Sequence, residues 1–361
     1  TNYMNLIKFE SAESLRAIIT LSLLSGKSVQ ILNIEPKLCD AEVSFINILA
    51  KIAPSTRAKV SADGKTVTFE PGIIDGGEFS FTCEGERSLG YYLEYLVLIL
   101  PLAKFISKIT LVGCTHNNSD LSVDYIQQIL IPHLNYYHPE QKLGLDIASR
   151  AFFTQNVQPN GKVVLNSAPC AQYTSLQFTK PSPVTTLGGT VLSLNIPPTM
   201  GQRLLQQLKK DFGFVSNFNL NLITQGGKNV LSAPGYGCVL VAKTESGSQF
   251  GAEIFTDQIQ TNPEELGAYL GQQLATQLEN FGTIDVLSQV QVVLHAACAV
   301  EDVSLIRCGK LNPKTMEALR VVREILGVEA QIEEYKIEGV VSGVNIIIRG
   351  AGVRNIGMRG W

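Results

Sequence analysis

Four histidines, two aspartates spaced four apart and a few arginines are the side chains of this chain whose types could do chemistry. A carboxylate pair such as Asp120 and Asp124 serves as general acid and base when its two environments differ. No partner motif accompanies this one, so Asp124 is expected to cap or orient the helix that follows it. His116 sits in a polar loop, and His133 and His138 flank Tyr136-Tyr137. All three read as loop or helix-end residues, too dispersed to share a metal ion. His295 lies in an apolar helical run and is expected to pack in the core. Seven cysteines are scattered without a CxxC pair and read as reduced, mostly buried thiols of an intracellular protein. No metal and no cofactor is expected. Arg16, near the start of the first helix, is the side chain expected to meet an anion, with a helix-surface salt bridge as its equal alternative. Arg349, Arg354 and Arg359 read as a solvated end.

The elements that must position these groups are legible from periodicity. The 361 residues, 45% hydrophobic and 17% charged, leave room for two domains or three. The net charge of −3 and a pI near 5.9 exclude the whole-protein basic field that drives non-specific nucleic-acid binding. No signal peptide is read at the start. The longest apolar run, near Tyr95 to Ala103, is too short for a bilayer and holds Pro101.

Strands are expected at Leu6–Phe9, Ser28–Ile34, Arg57–Ser61 and Thr66–Glu70, the last two around an Asp63-Gly64 turn. Helices are expected at Glu13–Ser25 and Ala41–Ile52. The same order returns over Glu78–Thr82, Gly90–Leu100, Lys108–Gly113, Ser122–His133, Gly144–Phe152 and Gly161–Asn166. It closes with a helix at Pro313–Leu326, capped by Asn312 and stopped by Gly327, and strands at Glu329–Tyr335 and Val344–Arg349. On that helix Arg320 and Arg323 are expected to face outward, opposite Met316, Leu319 and Ile325. Pro181-Ser182-Pro183 opens a segment of different rhythm, with helices at Met200–Phe212 and Glu264–Asn280 among four strands. The fold class is therefore α/β (α+β). Residues 1–180 and 281–361 form a body of repeated βαβαββ-type units, and residues 181–280 form an inserted α/β domain.

Four stretches, in order, carry a resemblance. They are Leu15-Arg16 through Leu23-Leu24-Ser25-Gly26-Lys27; Pro71-Gly72-Ile73-Ile74-Asp75-Gly76-Gly77; Gly113-Cys114-Thr115 with Val123-Asp124-Tyr125 and Leu130-Ile131-Pro132; and Asp285 to Ala299, where Gln291 and the alanines line up. Together they resemble the RNA 3′-terminal phosphate cyclases. That resemblance implies a body of repeated α/β units with one inserted domain. It also places the family's nucleophilic histidine at Leu287. Leucine has no lone pair and cannot attack the α-phosphate of ATP.

The phosphate loops depart as well. The stretch before the first helix is Glu10-Ser11-Ala12-Glu13-Ser14, without glycine and with two carboxylates that oppose a polyphosphate. The family's glutamine in the next helix is Glu94, and a later glycine-rich loop is reduced to Pro159-Asn160-Gly161-Lys162. These departures resemble the non-catalytic branch of the family.

The branch implies a factor without enzymatic activity in small-subunit ribosome biogenesis, in the nucleus and nucleolus, supporting pre-rRNA processing toward 18S rRNA. It implies a ribosome-assembly GTPase as partner, with a small nucleolar RNP and pre-rRNA nearby, and no membrane. Relatives carry charged residues near Arg320 and Arg323 that would serve RNA cleavage or contact. Here the intervening position is Val321, so RNA or partner contact is the reading kept for the two arginines. A pre-rRNA endonuclease on the same scaffold and a divergent ATP-dependent cyclase are the alternatives.

Overall fold

Three stretches of the chain build the same four-stranded sheet. The computed structural model describes residues 6–136, 142–155 and 157–358. The first unit runs β1 (Ile7–Phe9), α1 (Leu15–Ser25), β2 (Val29–Ile31), α2 (Asp40–Ile52), β3 (Arg57–Val60) and β4 (Val67–Glu70). Its sheet order is β1-β2-β4-β3. The first two strands are parallel because a helix carries the chain back between them; the last two form a hairpin and are antiparallel.

The second unit repeats this with β5 (Glu78–Thr82), α3 (Leu89–Ile99) and β6 (Ser107–Gly113). A helical run follows, made of α4 (Val123–Tyr125), a π-turn over Ile126–Leu130 and α5 (Ile131–Tyr136). It ends in β7 (Gly144–Ser149) and β8 (Gly161–Ser167), and the sheet order is β5-β6-β8-β7. The apolar run near Tyr95 to Ala103 is wholly buried here, and among the described residues no helix is long and apolar enough to cross a membrane.

The third unit begins at β9 (Gln177–Phe178) and is then interrupted. The interruption holds β10 (Val184–Leu194), α6 (Pro198–Phe212), β11 (Phe218–Gln225), β12 (Gly235–Thr244), β13 (Gln249–Thr256) and α7 (Pro263–Glu279). The unit resumes with α8 (Gln289–Cys298), β14 (Val303–Cys308), α9 (Pro313–Leu326), β15 (Ala330–Ile337) and β16 (Val340–Arg349). Its order, β15-β16-β14-β9, matches the other two with the parallel pair at β9 and β14. The chain leaves and re-enters at one place, where Thr283 Oγ1 donates to Phe178 O at 2.8 Å.

In the interrupting sheet, ordered β11-β10-β12-β13, the strand β12 is buried on both faces. Side chains alternate along a strand. Cys238, Leu240 and Ala242 join a cluster under α6 and α7, while Val239, Val241 and Phe255 enter the main core. The segment expected as a domain of its own thus shares one face with the body.

Two strands of the third unit escape sequence reading. β9 is two residues long and exists as a strand only because β14 pairs with it. In β14 the inward positions are Ser304, Ile306 and Cys308, while Val303 is exposed and Leu305 half-buried, so no apolar alternation signals it. The expected strand over Gly144–Phe152 stops at Ser149. On α9, Asn312 Oδ1 accepts from Lys314 N and Gly327 closes the helix at φ 72°, as the pattern predicts. Met316, expected inward, is exposed; Thr315, Ala318, Val321, Val322 and Ile325 form the buried face.

Candidate functional site

A cavity of about 490 Å³ opens where the starts of α1, α2, α8 and α9 converge. Glu13 enters it from just before α1, Arg16 from α1, Tyr91 and Glu94 from α3, and the loop 117–121 closes one side. Glu253 and Phe255 of β13 form another wall, so the interrupting segment completes the cavity. Leu287 and Gln291 line it from the α8 end, and Lys314 and Glu317 from α9. Arg16 and Leu287, singled out separately in the sequence, therefore face one space.

Its electrostatics are dominated by carboxyl groups. Six of them (Glu13, Glu42, Glu94, Asp120, Glu253 and Glu317) stand against three cations, Arg16, Arg87 and Lys314. Two of the cations are already paired. Arg16 binds Glu94 at 3.0 Å and donates to Tyr91 O at 2.5 Å, with its guanidinium 3.8 Å from the Tyr91 ring centre. Burial works against the arginine's charge, but Glu94 and the neighbouring tyrosines outweigh it and hold the guanidinium more firmly protonated than usual. Arg87 pairs with Asp120 and covers the same ring at 4.2 Å. Arg16 was expected at an anion or in a surface salt bridge; the bridge exists, but it is mostly buried and joins α1 to α3.

Leu287 does not lie in a helix. It sits in a turn, half-buried, just before α8 begins at Gln289. Asp285 holds that turn. Its carboxylate accepts from Ser288 N at 2.8 Å, from Gly251 N at 2.8 Å and from Tyr125 Oη at 2.5 Å. A residue of the body and one of the interrupting segment thus jointly fix where position 287 points.

Asp124 corrects a second expectation. Ser122 caps the helix; Asp124 does not. The Asp124 carboxylate, 1% exposed, receives both Arg150 Nε at 2.8 Å and Arg150 Nη2 at 2.7 Å, and meets His116 Nε2 at 3.0 Å. Thr115 Oγ1 lies 2.7 Å from His116 Nδ1. This row has the spacing of a hydroxyl, a base and an orienting acid. All three members are buried and Thr115 Oγ1 accepts from Ala151 N, so the row reaches no substrate. His116, read as an ordinary residue of a polar loop, is fully buried.

The remaining expected residues lie elsewhere. Arg320 and Arg323 are exposed on the outer face of α9, away from the cavity, and Arg323 pairs with Glu324 at 3.2 Å. His295 is buried and stacks on Tyr173 with ring centres 4.2 Å apart. His133 accepts from Gln249 N at 3.2 Å. Arg349 reaches Glu301 at 3.6 Å. Tyr137, His138 and Arg359 lie outside the described residues. Six of the seven cysteines are buried and Cys39 is exposed. Sequence reasoning missed Glu42, Glu253 and Glu317, which carry no motif and meet only through the fold.

The family model of RNA 3′-terminal phosphate cyclases matches residues 7–332. This chain belongs to that family. It is 30% identical over 355 residues to a probable RNA 3′-terminal phosphate cyclase-like protein of Dictyostelium discoideum, covering 91% of this chain and 93% of that one. It is 29% identical to the RNA 3′-terminal phosphate cyclase-like protein of Homo sapiens, covering 91% and 90%. It is 24% identical to the rRNA processing protein RCL1 of Saccharomyces cerevisiae, covering 96% of each. Three of the four cyclase-like stretches place residues on the cavity or its supports: Leu15 and Arg16, Asp124 and Tyr125, and Leu287 to Gln291.

In this cyclase-family cavity Glu253 is the group that titrates near neutrality. Ser122 N donates to its Oε1 at 3.0 Å. Burial pushes its carboxyl up to about 8, against that hydrogen bond and helped by Asp124 and Glu94. The folded chain thus binds a proton that the unfolded chain releases above its ordinary value near 4.5. The resulting stabilisation is complete below that value and is lost as pH rises to about 8. Glu253→Gln, which mimics the protonated form, is expected to flatten this slope and to exceed the parent by about 1–3 kcal/mol at pH 8.5. Urea unfolding between pH 6 and 9 checks it; an unchanged slope in the variant would show that Glu253 is ionised in the fold.

Proposed function

We propose that this chain is a non-catalytic member of the cyclase family. It acts in small-subunit ribosome biogenesis in the nucleolus, where it supports pre-rRNA processing toward 18S rRNA with a ribosome-assembly GTPase and a small nucleolar RNP. The observation that carries the reading is Leu287. An isobutyl side chain lines the cavity at the position where the resemblance puts the nucleophile. The carboxyl-rich wall supports it further, because a triphosphate entering would meet an excess of like charge across separations where each pair costs about 1–4 kcal/mol. The relatives named for rRNA processing in Saccharomyces cerevisiae and Schizosaccharomyces pombe, aligned over nearly the whole chain, support the pathway.

Incubation with α-labelled ATP or GTP and Mg²⁺ tests the first part. No covalent adduct is expected, since losing a nucleophile alone costs about a million-fold in a serine hydrolase. Leu287→His is expected to remain unlabelled as well, because Glu13, Glu94 and Glu317 would still oppose the phosphates. A stable nucleotide adduct on the parent chain overturns the non-catalytic reading; one on the variant alone overturns the charge argument. Co-purification from nucleolar extract tests the second part, and recovery without pre-rRNA and without a GTPase would discard the pathway.

A further inference from the structure

The cavity wall holds a buried acceptor that no donor meets among the described residues. Gln291 is 3% exposed and lines the cavity, yet among the described residues no donor reaches its Oε1. Glu253 Oε2 on the opposing strand β13 is also buried and unmet, and near neutrality it carries the carboxyl's proton. A buried acceptor left without a donor costs about 1–3 kcal/mol, so Gln291 Oε1 points to a ligand that supplies a donor. Glu13, Glu42 and Glu317 add three carboxylates that enter no ion pair among the described residues. Glu42 accepts from Cys39 N at 2.8 Å, and Glu317 meets Ser14 Oγ at 3.4 Å. Arg87 Nε is an unmet donor on the same wall, but its guanidinium is neutralised by Asp120 and lies over Tyr91.

We propose that the cavity receives the side chain of an arginine from a basic segment of a protein partner. A guanidinium carries five donors and no acceptor, which complements Gln291 Oε1 and the free carboxylates. Those acceptors stand on separate walls, from α8, α2, α9 and the stretch just before α1, and a planar fork with donors on several edges addresses them better than a point charge does. Among the described residues no three His, Cys, Asp or Glu side chains group closely enough to hold a metal ion, so the charge is spread for an organic cation. The volume of about 490 Å³ falls in the range of ligand sites. Arg16 on Glu94 beside Tyr91 already shows the same wall accommodating one guanidinium. The inference rests on the non-catalytic reading, since a nucleotide would claim the same space.

The test is fluorescence anisotropy of the full chain with a labelled peptide of alternating glycine and arginine, with spermidine and ATP as competitors. The peptide is expected to bind and to weaken as salt rises. The double variant Glu13→Gln/Glu317→Gln is expected to lose at least tenfold in affinity, with its fold checked by thermal unfolding. Glu333→Gln/Glu334→Gln, an equal charge change on exposed β15, is expected to leave affinity within twofold. Gln291→Leu is expected to weaken binding several-fold. Equal loss from both double variants would mean a diffuse charge effect and overturn the site. Spermidine competing as well as the peptide would reassign the cavity to free polyamines, and tighter ATP binding would overturn the cation altogether. Failure of peptide binding with no nucleotide adduct discards this inference alone; adduct formation discards the non-catalytic reading beneath it.

Discussion

Asp124→Asn is expected to lower the unfolding free energy at pH 7 by about 3–5 kcal/mol. Arg150, 8% exposed, has its guanidinium on the Asp124 carboxylate through two hydrogen bonds of 2.8 and 2.7 Å. Removing the carboxylate's charge leaves the cation in a site that water scarcely reaches, and a buried charge without its counterion is the costly case. Asparagine also leaves one acceptor oxygen where two now serve Arg150 and His116.

The pH behaviour separates this from a packing effect. Burial alone would raise the Asp124 carboxyl, but the hydrogen bonds from Arg150 and His116 hold it well below the usual range. A depressed carboxyl contributes stability above its unfolded value of about 3.9 and loses it as pH falls below that. The gap between parent and Asp124→Asn should therefore be constant from pH 6 to 8 and narrow in acid. Burial keeps the His116 imidazole below its ordinary value, so it adds no charge near neutrality. Asp146→Asn, on an exposed strand position, is expected to change stability by less than about 0.5 kcal/mol. A loss below about 1 kcal/mol for Asp124→Asn in urea titration would show that the Arg150 charge finds another counterion.

Gly90→Ala is expected to cost about 3 kcal/mol or to prevent folding. The first turn of α3 passes so near the loop 117–121 that a Cβ at position 90 would stand 1.7 Å from Leu121 O and 2.8 Å from Leu121 C. Both are backbone atoms, so no side-chain rotation relieves the overlap, and either α3 or the loop must move. Overpacking of this kind commonly costs about 1–3 kcal/mol and more where the backbone is the obstacle. The loop carries Asp120, the partner of Arg87, so the cavity is expected to distort with it. Gly144→Ala serves as the control, because nothing lies within 4 Å of a Cβ there. Thermal unfolding reads both, and equal midpoints for the two variants would mean that α3 shifts freely.

Much of the scaffold is written locally. The caps of α7 and α9, Asn262 and Asn312 each followed by proline, bind the backbone as the pattern demands. The stops at Gly26 and Gly327 adopt φ 74° and 72°, which glycine alone takes without strain. Strand–helix–strand order gave the repeated unit, since a parallel pair needs a long crossover and a hairpin does not. Residues joined by distant parts of the chain were not legible. β9 became a strand only by lying against β14, and His116 was read as an ordinary loop residue because its loop is polar, although Asp124, Phe152 and Phe255 enclose it.

The sequence by itself determined the family, the α/β units and the leucine at position 287, because each depends on residue type and short spacing. Only the tertiary structure decided what surrounds that leucine. Arg16 meets Glu94 across 78 positions, Glu253 arrives from the interrupting segment, and Asp285 anchors the turn through Tyr125, 160 positions away. Charge balance in a cavity is a sum over such distant groups, screened by the burial that brings them together, and no local pattern encodes it.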